Sequence, residues 1–212
     1  MGESWSRRRV LCSTQGQRHG MGYHKYPIHS LERSRSNWYR QRLPWVKTIY
    51  SDKVSNVYLF DRIDEPNHPH DGIVKAALRD FLCGVSLSCK EPVKMYWNKS
   101  DTSTYAVVAV GFQEVGVDIE YMRERRFEDI SRRYFHKDEI TDDKEIFFDL
   151  WCQKEAYTKW KKGKIAKYLS QKIDKDMTSL VPQSRYQMIE LEELPDNIKG
   201  YLCYWQCVDT LI

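Results

Sequence analysis

The 212-residue chain lacks any apolar run near the roughly 18 residues that a helical membrane span requires, so no membrane-spanning segment is expected. Cysteine is scarce as well. The six thiols (Cys12, Cys83, Cys89, Cys152, Cys203 and Cys207) include no CxxC pair, which argues against a disulfide scaffold, a zinc ribbon or a thiol-redox site. Cys203 and Cys207 stand at even spacing in an aromatic run, as residues sharing a strand face would. A secretory apolar stretch is missing too, because Arg7–Arg9 is followed only by Val10, Leu11 and Cys12. Reduced thiols and a cytoplasmic location are the expectation, with an organelle transit peptide as the alternative reading of the Arg- and Ser-rich start.

The body of the chain also lacks a surplus of positive charge. Residues 1–47 hold ten Lys/Arg against two Asp/Glu, a surplus of +8 in a chain whose formal charge is +4, so the remainder carries −4. A nucleic-acid binder would spread basic residues over its body. Nucleic acid is therefore not expected as the partner, and a role for residues 1–47 on nucleic acid or anionic lipid would rest on charge alone.

Residues 1–45 show no sustained period and hold four of the ten glycines, which suggests a basic, disordered extension. From Val46 the patterns become regular. Val46–Tyr50 and Val57–Phe60 are β-rich, and Ile73, Val74, Ala77, Leu78, Phe81 and Leu82 mark one face of a helix that Gly84 ends. Tyr105–Val110 is an apolar run of strand length, and Val115–Glu120 follows a turn at Gly111; the two read as a hairpin. Phe127–Phe135 and Glu145–Lys162 carry helical periods, and Tyr186–Leu191 and Gly200–Val208 read as strands. The expected organisation is an extension over 1–45, an atypical first lobe over 46–111 and a second lobe over 112–212.

The chemistry concentrates in acids. Asp118 and Glu120 are two apart in a β-rich segment, so the pleat points both carboxylates to one side. Two like charges beside apolar neighbours are costly unless something positive lies between them, and a hard divalent cation would serve. A bare DxE taken alone is more commonly a solvent-facing strand end whose acids keep it soluble. Glu155 and Lys159 are neighbours at i,i+4 on the second helix, with Trp151 one turn earlier to exclude water. His68, His70 and Asp71 lack a fourth ligand and read as a solvated turn.

Three stretches occur in order: Val115-Gly-Val-Asp118-Ile-Glu120, Tyr134-Phe135-His-Lys-Asp-Glu139 and Leu150-Trp151-Cys-Gln-Lys154-Glu155-Ala-Tyr-Thr-Lys159. Together they resemble the successive motifs of the 4'-phosphopantetheinyl transferase superfamily, nearest to its surfactin-synthetase activator type. The resemblance implies an α+β fold of two similar α/β lobes with the active site between them, the first lobe incomplete here. It implies Mg²⁺-dependent transfer of the phosphopantetheine arm of coenzyme A to a serine of an acyl or peptidyl carrier protein, by a monomer. It further implies Asp118, Glu120 and Glu155 as magnesium ligands, Lys159 on a phosphate and the leaving group, and Glu155 or Glu139 as general base. Lys75 and Ser100 would belong to coenzyme binding. The alternative is a weakened or inactive relative that binds the carrier without efficient transfer.

Departures accompany the match. A Ser-His pair usual upstream is Ser100-Asp101 here, which places an acid where a phosphate is expected unless Lys99 offsets it. Of an upstream basic helix and Arg-x-x-Leu-Arg stretch only Lys75-Ala-Ala-Leu78-Arg79 is matched. The glycine step after the lysine is displaced to Lys162-Gly163-Lys164.

Overall fold

The structure, a computed structural model, describes residues 21–26, 46–52, 55–61, 70–84, 93–173 and 186–205. The strand β1 (Met21–Tyr26) is followed by β2 (Val46–Ser51), β3 (Ser55–Asp61), α1 (His70–Gly84), β4 (Val93–Asp101), β5 (Tyr105–Gly111) and β6 (Val115–Tyr121). Then come α2 (Phe127–Tyr134), a 3-10 turn at Lys137–Glu139, α3 (Lys144–Trp160), α4 (Ile165–Tyr168), β7 (Tyr186–Glu190) and β8 (Ile198–Trp205). The protein is thus mixed α+β, with two antiparallel sheets ordered β1-β4-β5-β3-β2 and β6-β8-β7.

Alternation along the strands builds four layers. On β3 and β5, Tyr58, Phe60, Ala106, Val108 and Val110 face the apolar side of α1, where Ala77, Leu78 and Phe81 are buried. Their neighbours Val57, Leu59, Val107 and Ala109 turn the other way and pack on Val117, Ile119, Leu202 and Tyr204 of the smaller sheet. The far face of that sheet, through Tyr201 and Cys203, takes Cys152, Ala156 and Trp160 of α3. The order is helix, five-stranded sheet, three-stranded sheet, helix. At one edge Tyr204 Oη donates within a cluster with Tyr50, Asp52 and Gln187, tying β8 and β7 to β2 and the turn after it.

Two expectations are corrected here, and one strand is added. β5 and β6 do not form a hairpin: β6 leaves the first sheet and pairs with β8, eighty residues on, because its apolar face is needed between the sheets. Within the supposed extension, Met21–Tyr26 is a strand that pairs with β4 from Met21↔Asn98 to Tyr26↔Val93. Its edge position requires no apolar period, which is why a pattern search passes over it. The rest of the 1–45 extension, His68 of the solvated turn and Cys207 of the proposed strand face lie outside the described residues. The added strand is β4, of which the sequence marks only the Ser100-Asp101 pair and Lys99.

Two features seat α3 on the second sheet. Asp143 caps its start by accepting from Ile146 N–H (2.9 Å). Gly116 on β6 is the point of closest approach: a Cβ there would lie 2.1 Å from the Ala156 carbonyl and 2.4 Å from Trp160 N. Only glycine lets the last two turns of α3, which carry Glu155 and Lys159, lie flat on β6. The helix ends with Lys162 at φ 53°, and Gly163 N–H donates to Thr158 O (3.0 Å), so the displaced glycine follows the left-handed residue instead of supplying it.

Candidate active site

Because Val115, Val117 and Ile119 face the core between the sheets, Gly116, Asp118 and Glu120 face α3. Asp118 is 4% exposed, and its Oδ1 accepts from Ser100 Oγ (2.8 Å) and from Lys159 Nζ (2.7 Å). Its Oδ2 is buried with no hydrogen-bond partner. Lys159 Nζ donates also to Ser100 Oγ (3.0 Å) and to Val117 O (3.1 Å). The free edge of β6 is closed from the other sheet as well, since Val117 N–H donates to Asn98 Oδ1 (2.8 Å). Ser100 and Asn98 of β4, Asp118 of β6 and Lys159 of α3 therefore meet at one place, joining both sheets and the helix.

Glu155 and Glu120 complete the group electrostatically. Burial lifts Glu155 to about 7; the charges of Asp118 and Glu120 push the same way and Lys159 opposes them. Burial also raises Glu120, followed by the charge of Asp118, while Arg125 (4.0 Å) and Lys159 hold it down. The Trp151 indole is close enough to lower Glu120 a little, although its Nε1 makes no hydrogen bond of ordinary geometry. The ring itself stacks on Phe147 and lies against Phe135. Beneath Asp118 the Cys152 thiol is buried, and burial followed by the charges of Asp118 and Glu120 pushes it well above its ordinary value, so it is an inert thiol.

The other sequence candidates fall elsewhere. Glu139 forms a buried ion pair with Lys154 Nζ (2.7 Å), and its second oxygen accepts from Ile173 N–H (3.1 Å). Lys154, with a side chain 0% exposed, donates in addition to Gln171 O (2.6 Å). This pair ties the 3-10 turn and the segment after α4 to α3, and its groups do not figure among the charges that act on Glu155 or Glu120. Lys75 is exposed on α1, whose packed side faces the five-stranded sheet from the face opposite β6. Lys99 Nζ pairs with Asp101 at 3.1 Å, which offsets the acid that replaces the expected histidine.

Sequence reasoning assigned no partner to Asn98 or Lys154. Asn98 gives no signal, since an amide in a strand is read only by its partner. For Lys154 a signal exists: a lysine in an aromatic helix and a glutamate in an aromatic turn are each too costly to bury alone.

An open cleft of about 720 Å³ adjoins the group, lined by Asp101, Thr102, Ser103, Glu120, Tyr121 and Arg123. Glu120 is thus shared between the cleft and the carboxylate set. The donor set consists of hard oxygens, and the bare Asp118 Oδ2 and the raised carboxylates are what a bound divalent cation would relieve. Among the described residues, however, no three His, Cys, Asp or Glu side chains converge closely enough to enclose a metal ion.

Fold and site define a mixed α+β protein with carboxylates gathered round one lysine beside an open polar cleft. Residues 114–194 match the family model of the 4'-phosphopantetheinyl transferase superfamily. The chain is also 30% identical over 120 residues to 4'-phosphopantetheinyl transferase gsp of Aneurinibacillus migulanus, covering 51% of this chain and 50% of that protein. It therefore spans about half the length of the curated relative it matches. The chain resembles the 4'-phosphopantetheinyl transferase superfamily through the segment that contains all three motifs, from Asp118 to Lys159.

Proposed function

We propose that the protein transfers the 4'-phosphopantetheine arm of coenzyme A to a serine of an acyl or peptidyl carrier protein in a Mg²⁺-dependent reaction, as a holo-carrier synthase of the surfactin-synthetase activator type. The observation that carries this reading is the meeting of Asp118, Glu155 and Lys159 inside the segment that matches the superfamily. Asp118, Glu120 and Glu155 would hold Mg²⁺, which when bound neutralises the pyrophosphate as its bond breaks.

The remaining steps belong to the chain's own groups. In the metal-free chain burial holds the Glu155 carboxyl up at about 7, and a cation bound beside it would favour the carboxylate, which can take the proton from the carrier hydroxyl. Of the two candidate bases it is favoured, because Glu139 already holds Lys154. Lys159 supplies donors to a phosphate oxygen and stabilises negative charge on the departing adenosine bisphosphate. Ser100 orients Lys159 and Asp118 through its hydroxyl. The cleft beside Glu120 offers room for the nucleotide end of coenzyme A. Lys75, exposed on α1, would serve coenzyme binding apart from this group.

A two-lobed form with transfer between the lobes is supported by the contact of Ser100, from the larger sheet, with Asp118 of the smaller. A boundary near residue 112 is consistent with the change of sheet between β5 and β6, and the first lobe then reaches back from residue 46 to include β1. A cytoplasmic monomer is part of the same reading; among the described residues no helix is long and apolar enough to cross a membrane.

The test is incubation of the purified chain with a fluorescent coenzyme A, Mg²⁺ and several apo carriers, reading label on the carrier. Two observations favour a second reading, a relative that binds the carrier without efficient transfer: Lys159 covers Asp118, and among the described residues no three acidic side chains come close enough to enclose a metal ion. Carrier binding without label would establish that reading.

A further inference from the structure

An ammonium group has three protons to donate, and Lys159 has three acceptors: Asp118 Oδ1, Ser100 Oγ and Val117 O. It has no donor to spare for a phosphate while all three contacts stand. Asp118 is divided in the same way. Its Oδ1 takes both Lys159 and Ser100, whereas Oδ2 is buried and bare in a residue 4% exposed. A positive charge fixed 2.7 Å from one oxygen repels any further cation brought to the other.

The two functions assigned to this corner thus exclude each other as the side chains now stand. A cation at Asp118 requires Lys159 to move away, and a phosphate at Lys159 requires the lysine to release an acceptor. Both needs are met by one movement. Lys159 lies near the end of α3 on a flexible four-carbon stem with an 18% exposed side chain, so it can swing without moving the helix.

We propose that Lys159 competes with a divalent cation for Asp118, and that a phosphate-bearing ligand, by drawing the ammonium off, makes cation and ligand bind cooperatively. The inference rests on Asp118 being the cation site of the proposed function. Its content is separate: cation uptake is weak alone and strong with a di- or polyphosphate, and the reciprocal enhancement of phosphate binding by the cation is equal in size.

Mn²⁺ binding to the full chain, followed by electron paramagnetic resonance with and without inorganic pyrophosphate, tests this without reference to turnover. Pyrophosphate chelates Mn²⁺ by itself, so the protein-bound fraction is taken from a spectrum corrected against the Mn²⁺–pyrophosphate complex. In the wild type, pyrophosphate tightens protein-bound Mn²⁺ by about tenfold or more. In Lys159→Met, Mn²⁺ alone binds about tenfold tighter than in the wild type and the enhancement by pyrophosphate largely disappears. Lys159→Gln, which keeps a hydrogen-bond donor without the charge, behaves like Lys159→Met, and Lys159→Arg behaves like the wild type. Circular dichroism melts establish that each variant is folded, and Lys159→Gln stands in if the methionine variant is not. Unchanged Mn²⁺ affinity in both neutral variants overturns the competition while leaving the site intact, provided Asp118→Asn abolishes binding. Mn²⁺ binding that is insensitive to Asp118→Asn overturns the cation site itself, and the competition with it.

Discussion

Glu155→Gln is the substitution whose effect follows most directly from the electrostatics. Glu155 ionises at about 7 in the folded chain, against an ordinary value near 4.5, because it is buried and because Asp118 and Glu120 share its surroundings. A carboxylate with a raised folded-state pKa stabilises the fold fully below pH 4.5, and that contribution is lost as pH rises to 7. The gap corresponds to about 3 kcal/mol of cost to the fold at pH 8, at roughly 1.4 kcal/mol for each tenfold change. Glutamine cannot ionise, so it escapes the cost. Urea unfolding with EDTA present, at pH 4.5 and pH 8, reads the difference. The variant is expected to match the wild type within about 0.5 kcal/mol at pH 4.5 and to exceed it by about 2–3 kcal/mol at pH 8, with an unchanged slope in urea. Equal stabilities at pH 8, or the same difference at both pH values, would refute a Glu155 held among like charges.

Three further outcomes follow from the packing. Glu139→Gln leaves the ammonium of Lys154 buried without its counter-charge and should cost about 3–5 kcal/mol in urea unfolding. The double replacement Glu139→Leu with Lys154→Met should recover most of that loss, and equal losses in the single and double variants would contradict the ion-pair reading. Gly116→Ala drives a Cβ into the Ala156 carbonyl, so α3 must lift from β6; a loss of about 1–3 kcal/mol or more is expected, together with slower transfer as Lys159 moves from Asp118. Lys162→Gly removes a side chain from a left-handed position at the end of α3 and should raise stability by about 1 kcal/mol in the same assay; a loss would mean that the exposed pair with Glu114 outweighs the backbone strain.

Much of the fold is legible in the sequence where one element decides its own pattern. The face of α1 follows from apolar residues three and four apart, and β5 from a run buried on both sides, whereas α3 buries Gln153, Lys154 and Thr158 and leaves Ile146 exposed. What depends on distant partners is not legible. Gly111–Glu114 has the length of a hairpin turn, yet β6 pairs with β8 because Val117 and Ile119 must face the first sheet. Met21–Tyr26 owes its strand to β4, and Asn98 owes its place to the open edge of β6. The site divides in the same way. The i,i+2 spacing of Asp118 and Glu120 on a strand and the i,i+4 spacing of Glu155 and Lys159 on a helix put their chemistry within reach of motif reading. Spacing alone could not separate Glu155, among like charges, from Glu139, whose carboxylate on the 3-10 turn is bound to Lys154, the residue just before Glu155 on α3.

The most direct measurement is transfer of label from a fluorescent coenzyme A to an apo carrier by the wild type and by Asp118→Asn, in Mg²⁺, with melting curves for both. The account predicts Mg²⁺-dependent label with the wild type and a loss of at least about a hundredfold in the variant, whose fold remains intact. Undiminished label with Asp118→Asn would contradict it.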